Sequence, residues 1–205
     1  MRALAVICFV AALAFAGRAD ARRVVHIPTL EEVCPGNDDW AKVGECIKRH
    51  GAFTVVREEA NLKVVSLGEQ SRFAGIYIYM HGKTWRMHGQ LRISEPHDVL
   101  DFSHVTFGNH VGVRLDVGLT TPMSFSIDGE TSETMGLFRQ TLTLLCFEDG
   151  VGCTQMTTAC DLMLHGKAYY SFRGKLRYAN HQLEVIGDRR IAGDYCAQPE
   201  LVLSD

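Results

Sequence analysis

The sequence predicts a mainly β protein, an antiparallel meander of about ten strands arranged as a barrel or a sandwich, with one N-terminal helix. Three observations carry that reading. The hydrophobic period changes from helical to alternating at Gly51. Beyond it, short segments rich in Val, Ile, Thr, Tyr and Phe are separated by turn residues. Three of these segments fold back on themselves in registers that sort apolar from polar side chains, which a one-residue slip would scramble.

The helix comes first. Residues 22–37 read as an extended lead-in with turn residues at Pro28 and Cys34-Pro35-Gly36. Asn37-Asp38-Asp39 supplies N-cap oxygens, and Trp40, Val43, Cys46 and Ile47 recur at helical spacing. Lys48-Arg49-His50 before Gly51 suits the negative end of a helix dipole. These signals predict a helix over 38–50.

The first hairpin is expected over 76–89 with Gly82-Lys83 as its turn. That register puts Ile76, Ile78, Met80, Trp85 and Met87 on one face, and Tyr77, Tyr79, His81, Thr84, Arg86 and His88 on the other. The second is expected over 100–117 around Gly108-Asn109. It groups Leu100, Phe102, His104, Thr106, Val111, Val113, Leu115 and Val117. The third, over 168–186, turns at Asn180-His181. It aligns Tyr170, Phe172, Leu176, Tyr178, Leu183 and Val185 and sets Arg177 opposite Glu184. Gly and Asn suit such two-residue turns because they tolerate positive φ. Further strands are expected at 52–58, 62–67, 123–127 and 137–147.

The N-terminus reads as an export signal. Met1-Arg2 is basic, Ala3 to Ala16 is apolar throughout, and Ala19-Asp20-Ala21 is an A-x-A exit. The apolar run is shorter than the ~20 residues a spanning helix needs, and no other stretch is long and apolar enough. The expected organisation is a signal peptide over 1–21 and one disulfide-bonded β-rich domain over 22–205, secreted to the periplasm or the outside.

Cysteine usage agrees. Of seven cysteines, Cys8 leaves with the signal, and Cys34, Cys46, Cys146, Cys153, Cys160 and Cys196 remain. An even set in an exported chain implies disulfides. Cys34 and Cys46 stand alone in the N-terminal half and are expected to pair. The other four leave three pairings open. Without a C-x-x-C or a finger-like Cys/His spacing, zinc is not expected.

Charge and motifs bound the function. The chain has 21 Lys+Arg against 24 Asp+Glu, a net charge of -3, which argues against a nucleic-acid or anionic-membrane binder. His97, Asp98, Asp101, His104 and His110 crowd together, but the hairpin register points His104 and His110 apart, so no metal site is expected. Nucleophile-elbow, zincin, P-loop and dinucleotide motifs are missing, and no cofactor is expected.

The remaining candidate is the face carrying Tyr77, Tyr79, Arg86 and His88. Rings beside a guanidinium and an imidazole suit a sugar, aromatic or anionic ligand. The expectation is an exported, non-catalytic binding or structural protein whose partner is a small molecule or a protein. Two alternatives stand beside it: an exported hydrolase with a dispersed Asp/Glu/His site, and a lipocalin-like carrier of a small apolar ligand.

Overall fold

The computed structural model describes residues 26–126, 133–149, 152–189 and 201–202; the expected signal peptide and Cys196 lie outside them. Two short helices, α1 (Leu30–Val33) and α2 (Trp40–Lys48), precede the strands. α1 is closed by a Thr29/Glu32 capping box, and the Asp39 side chain caps α2. Strands β1 (Phe53–Glu59), β2 (Leu62–Leu67), β3 (Gly75–His81) and β4 (Trp85–Arg92) form one antiparallel sheet in sequence order. Strands β5 (His97–Phe107), β6 (His110–Ser126), β7 (Glu133–Phe147), β8 (Gly152–Leu164), β9 (Lys167–Ala179), β10 (Gln182–Arg189) and β11 (Leu201–Val202) form a second, again in sequence order.

The two sheets stack face to face. Leu62, Val64, Ile76, Ile78 and Leu91 of the first meet Val113, Leu115, Val117, Leu142 and Leu144 of the second in one buried cluster. Burial of each such side chain contributes roughly 1.5–3 kcal/mol. The helices cover the opposite face of the first sheet, where Leu30, Val43 and Ile47 pack on Val65, Leu67, Tyr77, Tyr79 and Trp85. Lys63 joins this layer, with its ammonium 5.9 Å and 5.7 Å from the Trp40 and Trp85 rings and paired to Glu58. The central strands β2 and β3 are therefore buried on both faces. The second curls far enough to bring Phe107 of β5 to 6.1 Å from Tyr178 of β9.

Cys34–Cys46 is bridged as expected. Cys146–Cys153 resolves one of the open pairings, and Cys160 is also disulfide-bonded.

The third hairpin has the expected register throughout, with Arg177 opposite Glu184 and hydrogen-bonded to it at 2.8 Å. The second holds from Phe107↔His110 out to Asp101↔Asp116, where a bulge intervenes. That bulge turns Leu100 out to solvent rather than onto the apolar face. The expected separate strand at 123–127 is the end of β6, which runs through Pro122. The proline is tolerated because β5 ends its pairing at Leu119, so that stretch of β6 is an edge on one side.

The first hairpin departs most. His81 pairs with Trp85, leaving a three-residue loop, and a bulge at His88 separates Tyr79↔Met87 from Ile78↔Gly89. The extra loop residue moves Trp85 and Met87 onto the Tyr77/Tyr79 face, against the expected grouping. The bulge then returns Leu91 to the Ile76/Ile78 face.

Candidate functional site

The β3–β4 hairpin carries the candidate site at its turn. Gly82, Lys83 and Thr84 make the loop, closed by a 3.2 Å hydrogen bond from Gly82 N to Thr84 O. Met80, Gly82, Lys83, Thr84, Arg86 and His88 line an open cleft of about 400 Å³. Three basic side chains face this space, and no carboxylate lines it. Lys83 and Arg86 are exposed, and Arg86 Nε lies 3.4 Å from Thr84 Oγ1, which steers the guanidinium along the loop.

The bulge aims His88. Being unpaired in the ladder, it reaches across to the second sheet, where Nε2 sits 2.6 Å from the Phe147 carbonyl. A carbonyl can only accept, so Nε2 carries the proton and donates, leaving Nδ1 as the ring's other polar atom. The Cys146–Cys153 bridge locks this contact, with Cys153 Sγ 3.1 Å from the His88 carbonyl.

Glu31 of α1 feels the Arg86 charge. Burial pushes its carboxyl above the ordinary range, against the Met87 N–H it accepts and the Arg86 charge. The 3.0 Å bond from Met87 N keeps that carboxylate committed to the helix layer.

The four residues singled out from sequence do not act together. Arg86 and His88 share the cleft. Tyr77 and Tyr79 are 0 % exposed on the helix side and have no access to it. Tyr77 Oη donates to the Phe73 carbonyl at 2.5 Å. Tyr79 Oη is buried without a hydrogen-bond partner among the described residues, and burial, with the Glu31 and Tyr77 charges, pushes its pKa up. Met80, Lys83 and Thr84 were missed as cleft residues because the hairpin was registered on a two-residue turn.

The clustered histidines take separate partners, with His104 exposed although grouped with the apolar face and His110 buried. His97 meets Ser66, His104 meets Glu59 at 3.1 Å, and His110 pairs with Asp149. A second cleft, of about 340 Å³ on the larger sheet, includes Asp98, Arg139, Asp161 and Arg173. There Arg173 clamps both Asp161 oxygens at 2.8 and 2.7 Å, so its charges largely satisfy one another. The Arg86 cleft has no such internal balance.

No helix among the described residues is long and apolar enough to cross a membrane. No family model matches the chain, and neither a curated protein nor a solved structure matches it.

Proposed function

We propose that this chain is an exported binding module that takes an anionic small molecule, or an anionic group of a protein partner, in the Arg86–His88 cleft. The observation that carries the reading is the one-sided charge of that cleft on a protein whose net charge is -3. The Arg86 guanidinium, the Lys83 ammonium and the Thr84 hydroxyl form a donor set suited to a carboxylate, sulfate or phosphate oxygen. The Met80 side chain and the Lys and Arg stems give it an apolar floor. The space between the sheets is filled by side chains, which favours a surface cleft over an enclosed lipocalin-like pocket. Export rests on the basic–apolar–A-x-A start and is supported by the disulfides.

The test is calorimetric titration of the purified, oxidised protein with inorganic phosphate, sulfate and a set of small carboxylates. Binding should weaken as salt is raised and drop at least tenfold in Lys83→Ala and Arg86→Ala. Anion binding indifferent to both substitutions, or none at all, would overturn the cleft assignment. The mass of the chain recovered from an exporting host should start at Arg22; an uncleaved chain would remove the export reading.

A further inference from the structure

Ser66 and His97 form a hydrogen-bonded pair that lies apart from the cleft. Ser66 Oγ is 3.0 Å from His97 Nε2, and His97 Nδ1 is 3.0 Å from the Glu95 carbonyl. The carbonyl accepts, so Nδ1 holds the ring proton and Nε2 presents its lone pair. The Ser66 hydroxyl therefore donates to Nε2. A general base needs this tautomer to take a serine proton, and a third group orients it here as an aspartate does in a triad.

The surroundings suit chemistry at this point. Ser66 lies near the end of β2 and His97 at the start of β5, at the open end of the stack, and both are half-buried. Thr54 of β1 is paired with Ser66, so its exposed side chain projects on the same side. Directly opposed residues hold their Cβ atoms ~4.5–5.5 Å apart, which places Thr54 beside the serine, and its hydroxyl is assigned to a developing oxyanion.

We propose that Ser66 is an acyl-accepting nucleophile and His97 its general base, in a centre that cleaves small carboxylic esters. Ser66 Oγ bonds to the ester carbon as its proton passes to His97 Nε2 and the carbonyl π pair moves to oxygen. Collapse breaks the carbon–alkoxy bond, and the leaving oxygen takes the proton from Nε2. Water then adds to the acyl carbon, giving a proton to Nε2. Ser66 Oγ leaves and recovers that proton, releasing the acid. Small esters are named because Ser66 is half-buried, which disfavours a bulky acyl group.

The same hydrogen bond also pins β2 to β5, and the experiment separates the two roles. The oxidised protein is treated with a fluorophosphonate probe, mapped by peptide mass, and assayed with p-nitrophenyl acetate. Labelling at Ser66 is expected, with ester hydrolysis that stops when the serine is labelled. His97→Gln keeps a side-chain partner for the serine hydroxyl but has no basic nitrogen. It should remain folded by circular dichroism and lose 10²- to 10⁴-fold in rate. Ser66→Ala should abolish labelling. Failure of the folded wild-type protein to label at Ser66, or a rate unchanged in His97→Gln, would overturn the proposal and leave the anion-cleft reading untouched.

Discussion

Gly89→Ala tests how the two sheets meet. Gly89 lies on β4 against the Cys146–Cys153 bridge, which joins the neighbouring strands β7 and β8 of the second sheet. A Cβ there would fall 2.3 Å from Cys153 Sγ and 2.4 Å from Cys146 Sγ, more than an ångström inside ordinary contact. The bridge is covalent and lies between two sheets, so it cannot swing away as a free side chain would. Overpacking of this kind costs about 1–3 kcal/mol. The bridge joins residues 7 apart in sequence, and chain entropy assigns such a short loop a contribution of about 2.5 kcal/mol. In Cys146→Ala/Cys153→Ala both sulfurs are gone, and the nearest remaining neighbour of the new methyl is the position-153 Cβ at 3.2 Å. The three substitutions together should then cost little more than the cysteine pair alone. Urea unfolding of all four proteins gives the coupling, expected to be at least about 1 kcal/mol in favour of the combination. Additive costs, within the ~0.5 kcal/mol seen for independent sites, would refute this account of the seam.

Other consequences can be measured alongside. Cys46→Ser opens a bridge between residues 12 apart and should cost about 3 kcal/mol in urea unfolding under oxidising conditions. Trp85→Ala removes a side chain that is 5 % exposed and packed at a tilt with its ring 5.2 Å from Trp40, so a loss of roughly 3–5 kcal/mol is expected, followed by the fluorescence of the remaining tryptophan. Burial raises the Asp161 carboxyl, but hydrogen bonds from Arg173 and Ser171, with the Arg173 and Arg139 charges, outweigh it and hold the group below its ordinary range. Its stabilisation is present above the unfolded pKa and is lost as pH falls through the folded one, so Asp161→Asn should flatten the acid limb of the stability–pH curve. Glu31 has the opposite sign: its folded pKa is raised, stability declines as pH climbs through that raised value, and Glu31→Gln should remove the decline.

What could be read from sequence depended on whether each strand had a polar face. The third hairpin was legible to the residue. Asn180 and His181 take φ of 51° and 61°, as a two-residue turn requires, and Arg177 and Glu184 fix the pairing. In the first hairpin Ile76, Tyr77, Ile78 and Tyr79 alternate between two faces that are both buried. Either register buries apolar surface, so alternation could not exclude the wrong one. The extra loop residue and the His88 bulge therefore went unseen. β8 was missed because its interior positions include Thr157 and Thr158, residues that read as turn or surface. Arg86 and His88 still line one cleft, although the bulge falls at His88 and turns that side chain toward the second sheet. Ser66 and His97 are 31 residues apart and share no motif, so only the stacking of β2 on β5 reveals them.

The placement of both sites follows from the layering. The first sheet lies between the helices and the second sheet, so its central strands have no solvent-facing side and side chains reach water only where the ladder stops. One stop is the Gly82–Thr84 loop, which opens the basic cleft. The other is the far end of β2 and β3, where Ser66 pairs with Ile76. From Ile76 to His81 is five residues along β3, or about 17 Å at ~3.4 Å per residue. A small anion held by Arg86 cannot span that distance to Ser66, so saturating the cleft should leave the rate of Ser66 labelling unchanged. Mutual inhibition by a small anion would mean that one of the two sites is misplaced.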